Sequence, residues 1–402
     1  MPITDSITLI LLVPVVVGSA CSVIVVVAAC AWFRRPRAVA AYAPPVTVLK
    51  PLFGLDRNLI ENLRVICTQD YPDYQVVLSA QRRDDPAIPV MREIARAFPE
   101  RVTVSIVDEP PVRNGKAENL AHALAHARHD VIVISDSDIE VDKTYLREIV
   151  APLADPAVGY VCTLVRAVDA RNRWERFAQL SFNADFLPVL VLGVLTRAAS
   201  FCIGGSTAVR RPTIAAIGGF EHLAPYMVED AEMGRRIEAR GLRGVFLPRC
   251  VATRLEQSTM KSWWDYQVYW DQNARYASHV GFFALPLLKA VPFALLAMLV
   301  RACDPIGVAI ATGAIALRML TALAFVSFAV DDDETAASFW LLPLRDVVSV
   351  APWLAALARH RFTRRGVGFG VTARGMIEPL AHDMRQPSRS AQYPSIVSDA
   401  GG

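Results

Sequence analysis

The chain has 402 residues, of which 53% are apolar, a formal net charge of +3 and a positive mean hydropathy of +0.32. That length suits one large domain or two ordinary ones, and the apolar share exceeds that of an ordinary soluble domain. So small a charge argues against a nucleic-acid partner. The seven cysteines, at 21, 30, 67, 162, 202, 250 and 303, have no paired spacing. They predict buried thiols of a reducing compartment rather than a disulfide frame or a zinc site.

The first apolar stretch covers 7–33, long enough to span a bilayer. Arg34, Arg35 and Arg37 follow it, and only Asp5 precedes it. A cleaved signal peptide carries its positive charge before the apolar run. The reversed polarity predicts an uncleaved anchor over 1–37, N-terminus outside and the bulk of the chain cytoplasmic.

A cytoplasmic catalytic domain is expected over 38–257. Val46-Thr47-Val48-Leu49 reads as a strand and 56–68 as a helix with Leu59, Leu63 and Ile66 on one face. A strand at 74–80, a helix at 86–98, a strand at 102–107 and an alanine-rich helix at 117–128 follow. Val131-Ile132-Val133-Ile134 then reads as a buried strand. This alternation predicts an α/β fold, its sheet mostly parallel with crossover helices. Neither a dinucleotide glycine fingerprint, a P-loop nor a G-x-S-x-G elbow is present.

The last of these strands runs into Ser135-Asp136-Ser137-Asp138. Two carboxylates at the carboxyl edge of a sheet suit a hard divalent cation, Mg²⁺ or Mn²⁺, bridging to phosphate oxygens. A D-x-D triplet also occurs in caps and turns. Asp84 and Asp85 leave the second strand at the same edge, where either can read a base or ribose, and Asp85 before Pro86 also fits a helix cap. Lys116 stands near a helix start, poised for phosphate or simply solvated. Glu229-Asp230 opens a helix over 230–240 that Arg240-Gly241 closes. Asp230 there serves either as a general base toward a hydroxyl or as a favourable charge on the helix dipole.

An aromatic helix is expected over 258–281, at the membrane interface. Gln272 and Arg275 share one of its faces; Arg275 either clamps a departing diphosphate or snorkels. Three apolar segments, 282–300, 304–330 and 336–358, precede Arg359, Arg361, Arg364 and Arg365. Placing those arginines on the side of Arg34 allows only two of the three to cross. Pro286, Lys289 and Pro292 mark 282–300 as the segment that lies in the interface, and Arg345-Asp346 makes 336–358 its rival. The run Leu187–Leu195 is too short to span, and fits either a lipid entrance or plain core. A tail over 366–402 completes the membrane region of 282–365.

Taken together these motifs resemble the ceramide glucosyltransferase family, over about 45–280. Asp84-Asp85-Pro86-Ala87-Ile88 matches its D-D-P-A-[IV] segment, Lys116-Ala117-Glu118-Asn119-Leu120 the second part of its G-x-N-x-K-x-x-N-L loop, and Asp136-Ser137-Asp138 its D-S-[GD] segment. Glu229-Asp230 matches its E-D pair, and Gln272, Arg275 and Tyr276 its [QR]-x-x-R-W motif, with tryptophan replaced. The resemblance implies a membrane-bound inverting glycosyltransferase with a GT-A-like nucleotide-sugar domain between N- and C-terminal transmembrane helices. It implies a UDP-sugar donor near Asp84, Asp85, Lys116 and Asp136, a divalent cation on Asp136 and Asp138, and catalysis by Asp230, Arg275 and Gln272. A membrane lipid would be the acceptor, ceramide first and a hopanoid or other lipid alcohol second, in a bacterial-type inner membrane with no nucleic-acid partner. The competing class is a membrane protein that binds nucleotide sugar without catalysis.

Overall fold

The computed structural model describes residues 3–35, 42–108, 113–197, 201–364 and 367–380. Arg37, Arg365 and 381–402 of the expected tail lie outside the described residues.

A seven-stranded sheet carries the middle of the chain: β1 (Val46–Pro51), β2 (Tyr74–Ala80), β3 (Val102–Ile106), β4 (Val131–Ser135), β5 (Val158–Val168), β6 (Ser206–Arg210) and β7 (Arg243–Arg254). Its order is β3-β2-β1-β4-β6-β5-β7. The first four strands pair in parallel, joined by helices α2 (Leu59–Cys67), α3 (Ile88–Ala97) and α4 (Gly115–Ala125). Their uninterrupted apolar runs have a simple cause: both faces are covered. Val46, Val48, Val76, Leu78, Val131 and Val133 pack on one side with Leu63, Ile66 and Met91. Leu49, Val77, Ile132 and Ile134 pack on the other with Leu120 and Ala123. Period two sends alternate side chains to two cores. β6 runs antiparallel to both β4 and β5, while β5 and β7 pair in parallel.

Before the sheet lies α1 (Ile3–Phe33), with Pro14 inside it. Three further helices are long and apolar enough to cross a membrane: Arg173–Leu195, Pro305–Ala329 and Phe339–Ala358. The first of these departs from expectation. Leu187–Leu195 continues an amphipathic helix from Arg173 through a π turn at Phe182–Phe186, so it is the end of a longer element. The segment broken by prolines in sequence is also broken in space: His279–Leu288 and Ala290–Val300 meet at 52°. Gly18 of α1 packs on that bend, where a Cβ would stand 2.7 Å from the Leu288 carbonyl oxygen. Within the stretch read as a tail, strands Val367–Val371 and Ile377–Pro379 join Arg361–Arg364 in a small antiparallel sheet.

Candidate active site

The site begins with β4. At its carboxyl end the chain turns, and the turn is held from below by Lys50 of β1. The buried Lys50 Nζ donates to Ser135 Oγ (3.1 Å), the Asp136 carbonyl (2.7 Å) and the Ile139 carbonyl (3.3 Å). Burial lowers its pKa to about 8, against the opposing pull of Asp138, Asp136 and Asp56.

Lys116 enters from α4, whose first turn is capped by Asn114. The Asn114 side chain accepts from the Lys116 and Ala117 amides and donates to Glu229 Oε2 at 2.7 Å, tying two distant segments together. Lys116 Nζ then donates to Asp136 Oδ2 and to the Gly204 carbonyl, both at 2.8 Å, with Glu229 Oε1 at 3.6 Å. Burial opposes its charge, yet Asp136, Glu229 and Asp230 together raise its pKa above the ordinary lysine value.

Asp230 opens the helix Glu229–Glu238 and is braced only by the Ala231 amide at 2.8 Å among the described residues. Gly204 leaves room for it: a Cβ there would lie 2.5 Å from Asp230 Oδ2 and 3.0 Å from Lys116 Nζ. Burial, then repulsion from Glu229, pushes the Asp230 carboxyl up to about 7, with Lys116 pulling the other way. Asp136 is pushed up to about 6, chiefly by burial and against Lys116. Asp138 accepts from Thr253 Oγ1 of β7 at 2.7 Å.

One member was not visible in the sequence. Asp56, in the loop after β1, faces Ser137 and Asp138, and burial raises its carboxyl to about 7. Its Oδ2 is buried and unpartnered among the described residues. The available signal was Gly54 two residues earlier, whose φ of 76° is a loop conformation that favours glycine.

Other expected site residues point elsewhere. Asp85 spends its carboxylate on the Gly54 amide (3.0 and 3.3 Å) and the Ala87 amide (2.9 Å), which ties the loop after β1 to the turn before α3; the helix itself begins after Ala87 without a side-chain cap, so Asp85 is not its cap. Asp84 is exposed and paired with Arg82 at 2.6 Å. Gln272 and Arg275 do share a face of the helix Met260–Ala277, but that face meets the chain after Val350. Gln272 donates to the carbonyls of Arg359 and Arg361, and Arg275 to those of Ala356 (3.0 Å) and Leu357 (2.8 Å). There Arg275 caps the end of the helix Val350–Ala358, and Gln272 holds the chain that leaves it for the strand Arg361–Arg364.

Among the described residues no three His, Cys, Asp or Glu side chains gather as a complete metal site. The donor set nevertheless fits a hard cation completed by phosphate and water. Asp136 Oδ1 is buried without a hydrogen bond, although Lys116 Nζ stands 2.8 Å from it. An ammonium thus lies where a cation would neutralise Asp136.

A mostly parallel sheet, a D-x-D turn at its carboxyl edge and an acidic helix start facing it define a GT-A-type glycosyltransferase fold. The chain belongs to glycosyl transferase family 21, whose family model matches residues 9–377. It is 24% identical over 203 residues to ceramide glucosyltransferase 1 of Caenorhabditis elegans, covering 50% of this chain and 43% of that one. It is 31% identical over 130 residues to the ceramide glucosyltransferase of Gibberella zeae, covering 29% and 24%. The chain therefore spans less than half the length of these curated relatives. Among solved structures, a mannosyltransferase from Pyrobaculum calidifontis, in complex with GDP-Man and Mn²⁺, is similar with a TM-score of 0.54. That match has 22% identity and covers 89% of this chain and 98% of the other, a likeness of fold.

Proposed function

We propose that this chain transfers a hexose from a UDP-sugar to the hydroxyl of a membrane lipid of the ceramide type, inverting the anomeric centre. The observation that carries the reading is the convergence of Asp136, Lys116 and Asp230 from three separate segments, with acid in excess over base. Such an excess suits a ligand that brings positive charge or protons with it.

Asp136 and Asp138 would hold a divalent cation, which when bound supplies Lewis-acid stabilisation of the donor's diphosphate. Lys116, which donates to Asp136 here, would offer its ammonium to the same phosphates. Asp230 accepts the proton of the acceptor hydroxyl, and the resulting oxygen attacks the anomeric carbon as the bond to UDP breaks on the opposite face. The proton rests on Asp230, and the electron pair leaves with UDP. A carboxyl near pH 7 in affinity suits that transfer. Asp56 beside Asp138 is a further donor contact, for a ribose hydroxyl. Gln272 and Arg275 act by fixing the C-terminal helix and sheet against the site. The turn between the last two strands packs beside the site, where the Met227 amide, just before Glu229, donates to the Gly375 carbonyl at 2.9 Å. The catalytic domain faces the cytoplasm, where nucleotide sugars are made.

The test is incubation of the purified full chain with a panel of UDP-sugars, with Mg²⁺ or Mn²⁺, and with ceramide, a hopanoid alcohol or no lipid. Metal-dependent release of UDP that requires a lipid alcohol, together with a new glycolipid by mass spectrometry, is the expected result. Donor binding without lipid-dependent release would reject catalysis.

A further inference from the structure

Among the described residues, the ion pairs that join α1, Ala290–Val300 and Pro305–Ala329 fall at two levels. At one, Arg301 pairs with Asp304 and, at 3.2 Å, with Asp5, which brings together the start of α1, the end of Ala290–Val300 and the start of Pro305–Ala329. At the other, Lys289 and Arg318 meet Asp185, Arg318 also meets Asp346, and Gly18 packs on Leu288 and Ala290 beside Lys289. Asp5 to Gly18, Lys289 to Arg301 and Asp304 to Arg318 are thus three connections between the same two levels. At about 1.5 Å per residue they rise about 20, 18 and 21 Å. Between the levels the exposed side chains include Ile10, Val13, Leu296, Leu299 and Ile306.

The helix Phe339–Ala358 is also long and apolar enough to cross, yet the chain on both sides of it is tied to the sheet domain. Before it, Glu334 accepts from the Asp169 and Ala170 amides at 2.7 and 2.6 Å, and Arg166 of β5 donates to the Asp331 carbonyl at 3.0 Å. After it, the Arg359 and Arg361 carbonyls accept from Gln272, and the Gly375 carbonyl accepts from Met227. A segment held to one body at both ends does not carry the chain across a bilayer. Its buried face is polar: Arg345 donates to Ser181, Asp346 accepts from Arg318, and Ser349 accepts from Lys289. Its other face is an exposed apolar stripe at helical spacing, Trp340, Leu344, Val347 and Leu354. His279–Leu288 meets this helix where Phe282 stacks on Trp353, 5.2 Å between centroids, and adds exposed Val280, Phe283 and Leu287.

We propose that α1, Ala290–Val300 and Pro305–Ala329 cross the bilayer, with Arg301–Asp304 on the face away from the sheet domain. Phe339–Ala358 and His279–Leu288 lie in the near leaflet, their apolar stripe against lipid. The depths agree. A hydrocarbon core of about 30 Å, less the ~20 Å between the two levels, leaves roughly 10 Å on the near side. An interfacial helix sinks to about that depth, so the bend at Lys289 starts inside the leaflet and the short Ala290–Val300 suffices. Of the two segments that the sequence offered as the one that fails to cross, 336–358 is then that one. The proposal does not depend on which sugar or acceptor the enzyme uses.

The test uses the full chain in sealed membrane vesicles of both orientations, with the exposed Glu61→Cys marking the face of the sheet domain. An impermeant maleimide is applied and the label located by peptide mass spectrometry. Cys303 is native and exposed, so it reports without substitution. It should be labelled at least tenfold more in vesicles that protect Glu61→Cys, and protected in those that expose it. Nitroxides attached at Trp340→Cys and Leu354→Cys should show equal depth by power saturation, whereas a crossing helix would set them about 21 Å apart. Labelling of Cys303 from the same face as Glu61→Cys would overturn the proposal, and so would nitroxide depths that differ by about the full rise of the helix.

Discussion

Two of the charged clusters among the described residues differ in a way that separates chemistry from architecture. Near the bent helix pair, Asp185 and Asp346 meet Lys289, Arg318 and Arg345, and each carboxylate has at least two cationic partners within 4 Å. Arg345 and Asp346 are almost wholly buried, with side-chain exposures of 2% and 1%. The pair that stood between a structural bridge and a functional role is thus saturated. At the sheet edge, Asp56, Asp136, Asp138, Glu229 and Asp230 share, among the described residues, only Lys50 and Lys116 as cationic neighbours. A saturated cluster holds helices together, and an unbalanced one waits for a ligand.

The sharpest way to break that contrast is Asp230→Asn. It should lower turnover by about a hundred- to ten-thousand-fold while donor affinity, read by calorimetry, stays close to wild type. Near-normal turnover would remove Asp230 from the chemistry. At the other cluster, Arg345→Met leaves Asp346 and Asp185 short of a partner inside the helices. A loss of about 3–5 kcal/mol is expected from opening a buried pair, seen as a lower denaturation midpoint in detergent. An unchanged midpoint would mean the network is not structural.

Acidity gives a third test with opposite signs for activity and stability. Asp230 is raised from its ordinary 3.8 to about 7, so the folded donor-free enzyme binds more protons than the unfolded chain between those values. The contribution of this group to stability therefore increases as pH falls from about 7 toward 4, while turnover falls below pH 7 as the base is protonated. Asp230→Asn should remove this group's share of the stability change; an unaltered stability-against-pH curve would contradict it. The smallest effect comes from Gly204→Ala. An added methyl would press on Asp230 and Lys116, and kcat should fall about tenfold with little change in melting temperature. A wild-type kcat would show that the cluster gives way freely.

How much of this was legible beforehand depended on whether the signal was local. The strands β1 to β4 were readable because two covered faces make continuous apolar runs, and Asp136 and Asp230 because each opens or closes an element. The insertion of β6 between β4 and β5 was not, since pairing between distant strands leaves no periodicity behind. Gln272 and Arg275 show the same limit from the side of the site. Their shared face was correctly drawn from helical spacing, but their partners are carbonyls some eighty residues later, as in Arg275 to Ala356 with a separation of 81. Asp56 was hidden because a lone carboxylate in a loop says nothing until the fold buries it near Ser137 and Asp138.

The claim on which the rest depends is a single displacement driven by the Asp230 carboxylate on a lipid hydroxyl. The anomeric configuration of the glycolipid made from an α-linked UDP-hexose, read by proton NMR, tests it most directly. The account predicts a β-glycoside; an α-glycoside would contradict it.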